Sequence, residues 1–265
     1  MSELAHCIEA GQGDVAVLLL HGIGGGKAIW THTLPALAGA GFRAVAMDLP
    51  GYGGAPGVPT LDAMAQAVAR VVAQIGARRT VLLGHSMGGM VAQELVARQP
   101  DLVQGLVLAC TSASFGKSDG AWQAQFIAER LAPLDAGVGM AGMAARLVPA
   151  MVAPAATAQT LGEAVAIMSG VPEATYRVAL HAIAGFNRRA ALAEIAVPTL
   201  LLAAEHDRTA PPDVMQRMAA RIPRSEYVCL PAAGHIANLE QPAAFNGAVL
   251  SFLRSQFVKS NFVGV

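Results

Sequence analysis

Charge is scarce in this chain, and neither sign prevails. Charged residues make up 14% of 265 positions, with Lys plus Arg and Asp plus Glu at 18 each. A chain without a basic stripe offers no electrostatic footprint to nucleic acid or to an anionic membrane surface. The expected partner is a small molecule. Cysteine is rarer still: Cys7, Cys110 and Cys229 form neither a CxxC pair nor an even-numbered framework, which excludes a disulfide scaffold. Cys110 and Cys229 end apolar runs and are expected to behave as small core residues. No apolar run approaches the roughly 18 residues that a membrane helix needs. The start, Met1-Ser2-Glu3-Leu4-Ala5-His6, lacks the basic region and apolar stretch of a signal peptide. These absences point to a protein of the reducing cytoplasm with no metal and no cofactor, an assembly of like subunits being left open.

What is abundant is apolar material, at 54% of the chain, enough for a sizeable core and against disorder. It is arranged as short apolar runs that alternate with helical patterns, the signature of a mostly parallel central sheet flanked by helices. Strands are expected at Val15–Leu20, Phe42–Met47, Thr80–Leu83, Leu102–Ala109, Thr199–Ala203 and Glu226–Leu230. Their unbroken hydrophobicity fits strands covered on both faces. Helices are expected at Ile29–Ala40, Leu61–Ile75, Met87–Gln99, Pro212–Arg221 and Pro242–Phe257. The alternation stops between Ser112 and Asn187, where Ala and Met recur at helical spacing. This stretch reads as a helical insertion, residues 112–187, into an α/β core made of 1–111 and 188–265. Long insertions of this kind are usually lids or binding elements.

Chemistry enters at Gly84-His85-Ser86-Met87-Gly88, directly after one strand and directly before a helical pattern. Small residues two before and two after a serine allow the tight strand-to-helix turn of a nucleophile elbow. A serine there stands at a helix N-terminus, which favours developing negative charge. Its hydroxyl is a weak nucleophile until a base takes the proton. His235, in the small-residue loop after the last strand, is the expected base. His206 is the rival, while His21 and His85 sit inside tight motifs and read as structural. The imidazole in turn needs a carboxylate to hold its tautomer, and Asp207 is the expected one, with Glu205 and Asp213 as alternatives. The glycine-rich run His21-Gly22-Ile23-Gly24-Gly25-Gly26 follows the first long strand and can present backbone N–H groups to an oxyanion. The hole is assigned to the amides of Ile23 and Met87. The same run does not fit a phosphate loop, since Lys27 is followed by Ala28 rather than Ser or Thr.

Together these pieces resemble the α/β-hydrolase fold family from about Ala5 to Leu253. The resemblance rests on His21-Gly22 with Trp30 downstream, Asp48-Leu49-Pro50-Gly51-Tyr52-Gly53, the Ser86 elbow, Glu205-His206-Asp207 and Gly234-His235. The ending His235-Ile236-Ala237-Asn238-Leu239-Glu240-Gln241-Pro242 is similar to that of 3-oxoadipate enol-lactonases and small-ester hydrolases. What the resemblance implies is a shortened opening hairpin, a helical cap over the site, and a serine hydrolase that opens a small ester or lactone through an acyl-enzyme. The same motifs occur in C–C bond hydrolases of ring-cleavage pathways, and a ligand receptor with vestigial hydrolysis is the reading from another class. Trp30, Trp122, Arg130, Met143 and Ile236 are the expected pocket residues, with Met140, Leu147, Met151 and Met168 adding an adaptable apolar lining. Arg130 and Arg146 could meet a ring or a substrate carboxylate.

Overall fold

The computed structural model describes residues 3–116 and 120–258. The expected insertion includes residues 117–119, and the expected core includes 1–2 and 259–265; these lie outside the described residues. Seven strands form one sheet: β1 (Cys7–Ala10), β2 (Val15–Leu20), β3 (Arg43–Met47), β4 (Arg79–His85), β5 (Gly105–Ala109), β6 (Thr199–Ala204) and β7 (Ser225–Leu230). Their spatial order is β1-β3-β2-β4-β5-β6-β7. Only β1 runs antiparallel, against β3. The short first strand therefore pairs with β3 and not with its sequence neighbour β2, so no opening hairpin is formed.

Strands β2, β5 and β6 are buried along their whole length, as covering both faces requires. Leu18 lies level with Val45 in β3 and Leu82 in β4. Each fully buried leucine contributes about 2 kcal/mol, so a register slip would be costly. The register also sets Leu20 beside Gly84. The loops that leave β2 and β4 therefore emerge side by side. Strand order reverses at this point, since β3 lies to one side of β2 and β4 to the other. Crevices at such switch points are where open α/β sheets bind ligands.

Helices α1 (Thr33–Gly39), α2 (Leu61–Ile75), α3 (Met87–Arg98), α8 (Pro212–Ala219), α9 (Ala237–Glu240) and α10 (Pro242–Phe257) accompany the sheet. The single helix expected over Ile29–Ala40 is divided into a 3-10 turn at Lys27–Trp30 and α1. Pro35 explains the break, because its ring would meet the carbonyl of Thr31 in a continuous helix. The strand expected from Leu102 starts at Gly105 instead: the amide of Leu102 closes a turn onto Gln99 at 3.2 Å. Cys229 is exposed, against expectation, because β7 is an edge strand in which only Leu230 is buried.

Among the described residues four α-helices come between β5 and β6: α4 (Ala121–Asp135), α5 (Gly139–Met151), α6 (Ala158–Ser169) and α7 (Glu173–Ala184). The chain leaves and re-enters the sheet through one neck. There Phe115 N donates to Phe186 O at 3.0 Å and Arg188 N to Ala113 O at 2.7 Å. Arg188 also grips the buried Glu94 of α3 with Nε and Nη2 at 2.7 and 2.6 Å, and Arg98 Nε adds a third bond at 2.6 Å. The Arg188 hydrogen bonds hold the Glu94 carboxyl below its ordinary pKa. A carboxylate with a depressed folded pKa contributes stability above the unfolded value and loses it as pH falls. Arg188→Met should therefore cost about 1–2 kcal/mol at neutral pH, and the gap should shrink as pH falls below about 4.5. Urea unfolding of both proteins at pH 7 and pH 4 reads this; a gap that stays constant would contradict it.

Candidate active site

At the end of β4 the chain must turn from strand into helix within one residue. Ser86 makes that turn at φ 52 and ψ −117, a conformation that costs a non-glycine residue about 1–3 kcal/mol. The surroundings hold it there. Ser86 N donates to Ala109 O at 2.9 Å, and its carbonyl accepts from Thr111 Oγ1 at 2.7 Å and from the amides of Gly89 and Met90. No side chain fits on either flank: a Cβ on Gly84 would lie 2.4 Å from Gly88 O, and one on Gly88 would lie 2.2 Å from Leu20 O. The glycine spacing is thus a consequence of how closely β2, β4 and α3 approach.

His235 Nε2 lies 3.0 Å from Ser86 Oγ, and His235 Nδ1 lies 2.8 Å from Asp207 Oδ2. His235 and Asp207 are nearly enclosed, at 2% and 3% exposure. Asp207 Oδ1 accepts from the amides of Thr209 and Ala210 at 2.8 and 2.9 Å, so both carboxylate oxygens are hydrogen-bonded. Burial by itself would raise the Asp207 pKa, but the His235 imidazole and these amides outweigh it and leave the carboxyl below its usual value. The carboxylate is therefore charged at neutral pH and fixes the Nδ1–H tautomer, leaving Nε2 free to accept from the serine. The alternatives are placed elsewhere: Glu205 accepts from Ala232 N, Asp213 pairs with Arg217, and His206 is an exposed neighbour of Glu205.

The loop after β2 is set by a second histidine. Leu49 N donates to His21 Nε2 at 3.0 Å, so Nδ1 carries the proton and donates to Gly22 O at 2.8 Å. Burial pushes the His21 pKa down to about 4, which keeps it neutral in that tautomer. Gly25 N donates to the same carbonyl at 3.0 Å. A trans peptide is planar, so pinning the Gly22 carbonyl directs the Ile23 N–H the opposite way. Tyr52 Oη pins the next carbonyl, that of Ile23, at 2.9 Å. Met87 opens α3, and its N–H is one of the helix-start donors without an intrahelical acceptor. Ile23, Met87 and Ser86 line one cavity. Asp48 ties this loop to β3 by accepting from Lys27 N and Nζ at 2.7 and 2.6 Å.

The cavity has two lobes that share Ser86 and His235. One runs under Ile236, Ile29 and Val148, and the other under Phe126, Arg130 and Tyr176. All four helices between β5 and β6 contribute to these walls. Of the expected pocket residues, Arg130 and Ile236 line the cavity. Trp30 does not: it is fully buried behind the site, packed on His85 and Phe245. Trp122 is 39% exposed and stacks on Phe126 outside the cavity. Met143 and Met140 are buried in the packing between helices, whereas Leu147, Met151 and Met168 reach the lining. Arg146 is exposed. Met140, Met143, Leu147 and Met151 share one face of α5, and which end of that face meets the cavity is decided by how the helix docks, which is not local information. Among the described residues no group of three or more His, Cys, Asp or Glu side chains is placed to hold a metal ion, and no helix is long and apolar enough to cross a membrane.

Two further groups hold His235: His85, expected to be structural, and Glu240, which was not singled out from sequence. His85 Nε2 donates to the His235 carbonyl at 2.7 Å. Glu240 takes three amides: Ala153 N at 2.7 Å and Gly234 N at 2.9 Å on Oε2, and Ile236 N at 3.0 Å on Oε1. His235 N adds a bond to Met151 O at 2.7 Å. The His235 turn is therefore fastened to the end of α5 as well as to the sheet. The available signal was an acid five residues after the histidine, within reach of the amides of its own turn.

Residues 15–242 match the family model described as the alpha/beta hydrolase fold, and the chain belongs to that family. A protein of Variovorax paradoxus (strain S110) assigned as the carbamate hydrolase RutD is 34% identical over 252 residues, covering 90% of this chain and 91% of its own. The solved structure of a thermophilic esterase from Thermogutta terrifontis, with malate bound, superposes with a TM-score of 0.83 at 30% identity, over 94% of this chain and 92% of that one. The enol-lactonase from Burkholderia xenovorans LB400 gives 0.80 at 26% identity, over 94% and 95%. Hydrolysis is the activity for which these relatives are named.

Glu240→Gln replaces one acceptor oxygen with a donor and breaks at least one of the three amide bonds. Small misplacements of a side chain at a reacting centre are expensive, so kcat for hydrolysis should fall about ten- to a hundredfold. Steady-state kinetics beside circular dichroism tests this: a folded variant with unchanged kcat would refute the role.

Proposed function

We propose that this protein is a serine hydrolase that cleaves a small ester or lactone through an acyl-enzyme. The observation that carries the reading is the hydrogen-bonded line Ser86–His235–Asp207, at 3.0 and 2.8 Å, at the floor of a mostly apolar cavity. Ser86 Oγ attacks the carbonyl carbon while its proton passes to His235 Nε2. The carbonyl oxygen takes the negative charge and faces the amides of Ile23 and Met87. Collapse of this intermediate breaks the bond to the leaving oxygen, which receives the proton from the imidazolium held by Asp207. Water then attacks the acyl-enzyme, giving a proton to His235. The second collapse releases the acid and returns that proton to Ser86. Residues 112–187 act as the helical cap that covers the site and shapes its lobes, with 1–111 and 188–265 as the core.

A fluorophosphonate probe should label the native protein and fail to label Ser86→Ala; equal labelling of the two would sink the nucleophile. Turnover of p-nitrophenyl esters from acetate to octanoate should drop about a thousandfold or more in His235→Ala. An enol-lactone and a vinylogous diketone run side by side separate lactone opening from C–C cleavage, and labelling without any turnover would favour a receptor.

A further inference from the structure

One lobe of the cavity carries a single formal charge with nothing opposite it. Arg130 of α4 lines this lobe together with Ser86, and no Asp or Glu is among its lining residues. Elsewhere the arginines that meet carboxylates do so closely: Arg43, Arg98, Arg188 and Arg217 each hold one at 2.6 Å. Arg130 has no such pair among the described residues. Its guanidinium carbon instead lies 4.6 Å from the centre of the Phe126 ring. The acids of its own helix are engaged elsewhere, Glu129 with Gln125 at 2.8 Å and Asp135 with Arg177 at 2.7 Å. Tyr176 lines the same wall and lies within the field of the Arg130 charge. A weakly hydrated guanidinium that stacks on an aromatic face and keeps its fork open is suited to bind a carboxylate.

We infer that the substrate carries a free carboxylate on the part that occupies this lobe, paired with Arg130, with an apolar segment between that group and the carbonyl that Ser86 attacks. The inference rests on the hydrolase reading above and gives it a substrate class: half-esters of dicarboxylic acids, or esters and lactones with a pendant acid. Arg130 then determines specificity. The apolar remainder of the lobe selects the length of the linking chain.

The test compares kcat/KM for monomethyl adipate with that for methyl hexanoate, and for 5-acetoxypentanoate with pentyl acetate. These pairs place the carboxylate on the acid side and on the alcohol side. In the native protein one pair should favour the charged member about ten- to thirtyfold, the range of a charge-assisted contact. Arg130→Gln should bring that ratio close to one, and Arg130→Lys should restore part of it. A merely structural arginine would lower both members equally and leave the ratio alone. Calorimetry on Ser86→Ala with monomethyl adipate and methyl hexanoate provides a readout independent of turnover. Carboxylate-selective binding that disappears in Ser86→Ala/Arg130→Gln supports the inference even if the native protein proves inert. Turnover of all four esters with ratios near one overturns it while the hydrolase reading stands.

Discussion

The backbone of Ser86 has to be in one place and one conformation, and the rest of the molecule is arranged to make that possible. A serine at positive φ persists only where its neighbours over-determine it. Here they are the last residue of β4, the first turn of α3, the carbonyl of Ala109 in β5 and the hydroxyl of Thr111. All of them depend on the sheet being in register, because Leu20 of β2 sits beside Gly84 and presses against Gly88. The buried leucines of β2 and β4 therefore hold more than the core. They set the distance between the serine and the glycine-rich loop that follows β2.

Much of this was legible in the sequence because it is local. The elbow follows from glycine spacing between a strand and a helix, and α2 and α10 fall at the residues their apolar period and Pro242 indicate. The order Ser86, Asp207, His235 singled out three side chains that the fold brings within hydrogen-bond distance across 149 positions of sequence. Where the reading missed, the deciding contact was local but overlooked, as with Pro35, or lay far along the chain. Trp30 carries the look of a pocket residue, yet Phe245 and His85 enclose it from behind. Met140 and Met151 share a face of α5, yet they stand at opposite ends of the helix and only Met151 reaches the cavity.

The histidines show how one residue type is given separate tasks by its partners. His21, His85 and His235 each have one ring nitrogen committed by a hydrogen bond to backbone or carboxylate. Burial depresses His21 to about 4 and His85 to about 3, with the neighbouring His235 adding to the latter. Those two remain neutral and serve as rigid spacers. Of these three, only His235 faces a hydroxyl with its other ring nitrogen, and it is the one with a buried carboxylate behind it.

The bonds from Met151 and Ala153 to the His235 turn have a consequence for how such a protein can diversify. A helical insertion is commonly pictured as an exchangeable module, free to vary while the core does the chemistry. Here the segment that follows α5 and the turn that carries the imidazole share a carboxylate, so they behave as one mechanical part. Grafting a foreign set of helices between β5 and β6 would detach the His235 turn from its anchor unless residues 151–153 travelled with the core. Changes of specificity are then easiest in α4 and α7, whose residues face the cavity without holding the histidine.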